Sequence, residues 1–409
     1  MDYKSSRLAN GLRLVTQYID GSASFALGVC INAGSRNDFQ DRFGLAHFVE
    51  HSVFRRTKRM NSKEISEAFE NLGAYSNAYT TKESICFYVR GLKEYFQDIV
   101  DLMYDITIEP VFDQGDIDKE RSIIIEEIKS YYDDPEDLIV DYGDIALYRN
   151  SDLEHPILGS ENAVKSIHSS DIQKFHSEFF KPDNILITCV GNVTHEEILD
   201  AIAKSFATVK SESPTVKQNN VLPEYLPNSE IFKKDYAQNH FLYCNRICNF
   251  SSEDRFPLMA LNFILGEGVS SRLNQRIREQ LGLVYTIYSS LQCFSDSGVL
   301  NIYAGSESSR ISKITDNIDH EISKLLESHI SEQELRRAKA QLKSATVMSV
   351  ENLSNYMQDI AKSILLTGSS MGIKETLSQI DKISIDGITK VIDKYLTLNS
   401  WSKVIFKIY

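Results

Sequence analysis

Large and small residues alternate from residue 25 to 31, where Phe25, Leu27, Val29 and Ile31 are separated by Ala26, Gly28 and Cys30. A period of two predicts a strand with one large-residue face. Upstream, Asn10-Gly11 between Arg7-Leu8-Ala9 and Leu12-Arg13-Leu14-Val15 predicts a two-residue hairpin turn. Beyond the break at Gly34-Ser35-Arg36-Asn37 a polar loop leads into a helix predicted over 44–55. Asn61, followed three residues later by Glu64, reads as a capping box. It opens a helix that turns Ile65, Ala68, Phe69 and Leu72 inward and closes at Gly73. Residues 75–90 read as a second hairpin-like region, followed by a helix over 92–107 that buries Phe96, Ile99, Val100 and Met103. A long helix over 115–132, a buried strand over 184–191 and a helix over 195–207 complete the first half.

The polar residues of the 44–55 helix carry its chemistry. In Gly44-Leu45-Ala46-His47-Phe48-Val49-Glu50-His51 two imidazoles stand at i and i+4 and a carboxylate at i+3. All three project from one side of the helix. Two neutral imidazoles one turn apart can hold a zinc ion, and a third protein ligand leaves one tetrahedral position for water. On this reading His47 and His51 bind metal, and Glu50 is the general base that takes a proton from the acidified water. A surface helix with a His/Glu pair is the plain alternative for so short a motif.

The 115–132 helix offers a third ligand. Glu120 and Glu127 are seven residues apart, hence within about 20° of each other around the axis. Glu126 points roughly 100° away. If the ligand lies on this helix, Glu127 fills the role and Glu120 supports it from behind. An amphipathic helix with a charged solvent face accounts for the same glutamates equally simply.

The second half repeats the pattern of the first. A helix, Leu72-Gly73 and an aromatic-rich hairpin correspond to a helix, Leu281-Gly282 and the hairpin from Tyr285 to Tyr303, offset by 209 residues. Farther on, Gln341 stands 214 residues beyond Glu127. The second copy has no His-x-x-Glu-His, so one half is equipped for metal and its twin is not. Ser211, Pro214, Asn219, Asn220, Pro223 and Pro227 mark 209–229 as the linker between them. The expected domains are therefore 1–208, which carries the metal motif, and 230–409.

Composition narrows the field of functions. The chain of 409 residues is 42% apolar and 25% charged, as in a soluble globular protein, and it exceeds one ordinary core. No apolar run approaches the roughly 20 residues of a membrane span. A net charge of −13 without a basic, aromatic-interleaved patch argues against nucleic acid as a partner. The N-terminal residues lack the apolar core of a signal peptide and strand pattern begins almost at once, so a cytoplasmic location is expected. Cys30, Cys86, Cys189, Cys244, Cys248 and Cys293 are scattered through strand-like segments and read as buried small hydrophobes of a reducing compartment.

With these pieces in place the chain resembles the inverzincin metallopeptidases of the pitrilysin superfamily, in particular the short two-domain bacterial members akin to the mitochondrial processing peptidase beta subunit. The resemblance is carried by the 44–51 motif, Glu120-Arg121 with Glu127, Pro156-Ile157-Leu158-Gly159, Ser270-Ser271-Arg272-Leu273, and Arg278 through Tyr285. It implies an α+β fold of two homologous domains, each a largely antiparallel sheet with helices packed on it, forming half of a clamshell. It further implies one Zn2+ per chain on His47, His51 and Glu127, with Glu50 as base and Glu120 as supporting carboxylate. Arg278 and Tyr285 match a pair that steadies the tetrahedral intermediate, with Arg276 a competing arginine. Asn77 and Ala78 match the edge strand on which an extended peptide adds. The implied activity is endopeptidase cleavage of unfolded peptides or leader segments by a homodimer. Some relatives act instead as non-catalytic scaffold or regulatory subunits. The chain departs from the pattern at Ser52, where Met is common, and at Glu267, which interrupts a glycine run.

Overall fold

The computed structural model describes residues 3–210, 222–307 and 310–408. Of the linker expected over 209–229, residues 211–221 lie outside the described residues. The chain divides into two compact units. One is built from the chain up to Ser130, the stretch from His155 into the linker, and Ser349–Gly372. The other comprises Tyr131–Glu154, the chain from the linker to Met348, and the segment from Ile373 onward. The units are thus discontinuous, in contrast to the boundaries expected at 1–208 and 230–409.

The strands of the first unit are β1 (Lys4–Arg7), β2 (Arg13–Tyr18), β3 (Ser24–Ile31), β4 (Tyr75–Thr80), β5 (Ile85–Leu92) and β6 (Ile185–Gly191). They form one sheet in the order β1-β2-β6-β3-β5-β4, antiparallel except for the parallel pair β2/β6. The second unit holds β7 (Ser229–Lys234), β8 (Asn239–Ile247), β9 (Thr286–Cys293), β10 (Gly298–Ser306) and β11 (Ser402–Ile408) in the order β7-β11-β8-β10-β9. Its one parallel pair, β7/β11, occupies the place of β2/β6. Apart from β1, the two sheets share one topology, as the internal repeat predicts.

Before the linker lie α1 (Leu45–Ser52), α2 (Ser62–Asn71), α3 (Phe96–Ile108), α4 (Gln114–Tyr132), α5 (Pro135–Tyr148), α6 (Glu161–Ser166), α7 (Ser169–Phe179) and α8 (His195–Ser205). After it come α9 (Arg255–Asn262), α10 (Ile311–Ser328), α11 (Glu332–Ser349), α12 (Leu353–Thr367), α13 (Ile373–Lys382) and α14 (Ile385–Tyr395). Phe25, Leu27, Val29 and Ile31 join the main core of the first unit, where Phe25 meets Phe96 of α3 edge to face at 4.8 Å. The small face of β3 is buried as well, because α12 lies across it and a side chain at Gly28 would collide with Met357. In the second unit α5 plays the equivalent part. Leu138, Ile139 and Leu147 pack with Leu242, Val404 and Phe406, and Gly143 leaves room for the Leu242 methyl. Burial on both sides of a sheet rather than one explains why these strands read as nearly continuous apolar runs.

Two local expectations change. Residues 8–12 form a longer turn than the predicted Asn10-Gly11 pair, since Arg7 faces Arg13 and Leu8 N–H bonds the Leu12 carbonyl at 2.9 Å. Asn10 is drawn away to donate to the carbonyls of Phe206 and Val209 at 2.9 and 3.1 Å. The cysteines are not all separate thiols either. Cys30 and Cys86 face each other in the β3/β5 register and are joined as a disulfide, whereas Cys189, Cys244, Cys248 and Cys293 are not. Cys30, Cys86, Cys189, Cys244 and Cys293 are buried in strands as expected, whereas Cys248 lies just past β8 and is half-buried, and the pairing needs a register that spacing does not reveal. Among the described residues no helix is long and apolar enough to cross a membrane.

Candidate metal centre

Helix α1 is held at its N-terminal end by a residue outside it. Gly44 occupies the cap position with φ +94° and offers no side chain, and the buried carboxylate of Asp38 accepts from Gly44 N–H at 2.7 Å and Ala46 N–H at 2.8 Å. Burial drives the Asp38 pKa up to about 7 against the pull of these amides. A side chain at Gly44 would strike the Leu158 carbonyl, so glycine is required by both conformation and space. Loss of this cap by Asp38→Ala is expected to destabilise the protein by about 1–2 kcal/mol, read as a lower urea midpoint with an unchanged m value.

From this anchored helix His47 and His51 point toward α4. Their rings lie 4.5 Å apart, and Nε2 of each approaches Oε2 of Glu127, at 3.8 Å from His47 and 3.6 Å from His51. The three ligand atoms all lie within 4.8 Å of one another. Zinc bonds of about 2.0–2.1 Å in a tetrahedron separate neighbouring donors by roughly 3.4 Å, close to these spacings. The behaviour of the protons agrees. His51 Nδ1 lies 2.8 Å from Oε1 of buried Glu120, so a neutral His51 donates there and presents a lone pair at Nε2. Lone pairs and a carboxylate oxygen converging on one point call for a cation between them.

Charge within the pocket is set by its walls. Burial first, and then the neighbouring His51, pulls His47 down to about 3, which keeps the ring neutral as a ligand must be. Burial also pulls His51 down, but the Glu120 hydrogen bond and the charges of Glu50, Glu120 and Glu127 reverse the direction and raise it. Glu50 is raised by burial, with Glu127 adding to the effect and the Thr80 hydroxyl and His51 opposing it. A carboxylate held above its ordinary range is better suited to exchange protons near neutral pH.

The structure therefore brings together His47, Glu50, His51, Glu120 and Glu127. Glu126, predicted to point elsewhere, pairs with Lys129 at 2.7 Å. Asn77 and Ala78 lie on β4, an edge strand of its sheet. There the Ala78 N–H bonds Asn77 Oδ1 at 2.8 Å. Arg278 and Tyr285 belong to the second unit. Arg278 lies on a wide, π-type helical segment (Asn274–Gln280), and Tyr285 precedes β9 with 69% of its surface exposed. Arg276, the competing arginine, donates to Gln280 at 3.2 Å. Of the two departures, buried Ser52 returns its hydroxyl to the Phe48 carbonyl at 2.6 Å, and Glu267 accepts from Asn262 at 2.7 Å. Both extra polar groups are satisfied locally.

Sequence reasoning missed three contributors. Thr80 donates to Glu50 Oε2 at 2.5 Å, tying the edge strand to α1. Arg55 Nε stands 3.3 Å from Glu120 Oε2, steadying the carboxylate that orients His51. Asp38 is the third. The stretch Asn77-Ala78-Tyr79-Thr80 contains a usable signal for Thr80, since its last hydroxyl shares a strand with the residues already singled out.

Comparison with known proteins places these features in context. Residues 13–161 match the family model described as Insulinase (Peptidase family M16), and residues 166–342 match that of the Peptidase M16 inactive domain. An uncharacterized zinc protease of Mycobacterium leprae is 31% identical over 95% of this chain and 88% of its own length. An uncharacterized zinc protease of Bacillus subtilis is 30% identical over 95% of this chain and 94% of its own. Among solved structures, a protease from Helicobacter pylori has a similar fold with a TM-score of 0.94 at 21% identity, covering 99% of both chains. A peptidase M16 inactive domain from Pseudomonas fluorescens gives 0.93 at 17% identity, covering 100% of this chain and 99% of its own.

Proposed function

The chain belongs to peptidase family M16, and from that premise we propose that it is a zinc-dependent endopeptidase acting on unfolded peptides or leader segments. The observation that carries the reading is the convergence of His47 Nε2, His51 Nε2 and Glu127 Oε2 on one point. These three residues would hold one Zn2+ per chain, with Glu120 fixing the orientation of His51. The ion, when bound, supplies Lewis acidity that acidifies a water molecule and polarises a peptide carbonyl.

The remaining steps fall to side chains and backbone. Glu50 accepts the proton of the attacking water and returns it to the leaving amine. Thr80 holds the Glu50 carboxylate in place while it does so. An extended peptide adds to the edge strand β4, exchanging the Asn77 contact at the Ala78 N–H for a main-chain hydrogen bond. Recognition through main chain implies loose sequence preference. Arg278 and Tyr285 are assigned to the tetrahedral oxyanion, a role for which preorganised donors are worth about 2.7–4 kcal/mol each. The proposal extends to a homodimer, as the resemblance implies for chains of this length.

The test is cleavage of an unfolded peptide library by the purified protein with and without a chelator, on a preparation sized by light scattering. Chelator-sensitive cleavage restored by zinc, from a species of twice the chain mass, is the expected result. Cleavage indifferent to chelation would overturn the metal assignment, and an active monomer would overturn the dimer.

A further inference from the structure

A second chemically distinctive cluster lies in the second unit. Cys248 follows directly on β8, and Cys293 is the last residue of β9. Both strands flank β10, since Gly298 is paired with Ile247 on one side and with Cys293 on the other. Past that point the two segments approach each other, and Phe250 N–H bonds the Phe294 carbonyl at 2.8 Å. The convergence brings the two thiols into hydrogen-bonding contact. They differ in access. Cys248 is half-buried, whereas Cys293 is 5% exposed within the core of the unit.

Charges of both signs surround them. The Arg255 guanidinium, stacked 4.0 Å over the Phe250 ring, lies within electrostatic reach of both sulfurs. Asp254 acts on Cys248 in the opposite sense, and Lys394, anchored to Asp254 at 2.7 Å, offsets part of that effect. The Cys293 hydrogen bond is the largest influence, and with help from Ser252 it holds the Cys248 thiol down at about 7 against burial. The buried thiols of Cys189 and Cys244 have no such support, and burial pushes both well up. A partly exposed, stabilised thiolate beside a shielded second thiol is the arrangement that reacts with hydroperoxides.

We propose that Cys248 and Cys293 form an oxidation site for hydrogen peroxide, with Cys248 the attacking thiolate and Cys293 the resolving thiol. The Cys248 sulfur attacks one peroxide oxygen. An S–O bond forms, the O–O bond breaks, and one water leaves with the sulfur oxidised to a sulfenic acid. Cys293 then attacks that sulfur, the S–O bond breaks, an S–S bond forms, and the hydroxyl departs as a second water with the Cys293 proton. Two thiols and one peroxide thus give one disulfide and two waters.

Non-reducing peptide mapping of the full chain after exposure to hydrogen peroxide tests the proposal. The expected product links the peptides of Cys248 and Cys293. In Cys293→Ser the sulfenic acid persists, and a 1,3-diketone probe labels Cys248 at least about tenfold more than Cys189. The Cys248→Ser variant forms no such link and leaves Cys293 unlabelled. Absence of the cross-link in the wild type, or equal labelling of Cys248 and Cys189 in Cys293→Ser with an unchanged melting temperature, would overturn it.

Discussion

Glu50→Gln is expected to lower kcat by about 10²–10⁴-fold while the protein retains its zinc. That loss corresponds to about 3–5 kcal/mol of barrier. The substitution keeps the size of the side chain, and its amide oxygen can still accept from Thr80, which sits 2.5 Å from the Glu50 carboxylate. What disappears is the ability to take a proton. None of His47, His51 or Glu127 is altered, so metal content measured by mass spectrometry should match the wild type. Because Glu50 would act on the chemical step rather than on strand addition at β4, KM for an unfolded peptide should change far less than kcat. Undiminished turnover in this variant would remove Glu50 as the base.

The residues of this centre were legible because helical periodicity is a local rule. His47, Glu50 and His51 obey it within one turn, and Glu120 and Glu127 within two. The contacts that orient them are tertiary. Thr80 reaches Glu50 across 30 residues of chain, and Asp38 caps α1 from 8 residues before Ala46, outside the spacing of a capping box. Arg55 lies just past α1, yet its partner Glu120 is on α4.

The fold divides along the same line. The alternation in β3 predicted its large-residue face, and the small residues on the other side identified no partner. Only the placement of Met357 over Gly28 shows that a helix from the far end of the chain covers that side. Helix α5 presents the converse case. Its apolar stripe requires a sheet to cover, but nothing in residues 135–148 specifies the sheet that contains Leu242 and Phe406. A hydrophobic stripe records how much must be buried and leaves open which surface buries it. The Cys30–Cys86 pairing escaped notice for the same reason, because a strand register is a relation between two segments.

Zinc affinity should separate the two glutamates of α4. Glu120→Gln is expected to weaken zinc binding by about 10–100-fold, the usual cost of disturbing a carboxylate that orients a histidine ligand. Glutamine can still accept from His51 Nδ1, but it lacks the charge that faces Arg55. Glu127→Ala should cost more than Glu120→Gln, because it removes one of three protein donors together with its negative charge. In this variant zinc content after dialysis should fall well below one per chain, and peptide cleavage should fall with it. Competition against a chelator of known affinity measures both losses on one scale. Glu127 keeps 44% of its side chain exposed, so the melting temperature of the metal-free protein should barely move. Glu120 is buried, and its substitution should lower that temperature as well. A Glu127→Ala protein that binds zinc as tightly as the wild type would mean that the third donor lies elsewhere. The reverse ranking, with Glu120 the costlier loss to affinity, would make Glu120 the ligand and require the His51 ring to turn, since at present its Nδ1 rather than its Nε2 faces that carboxylate.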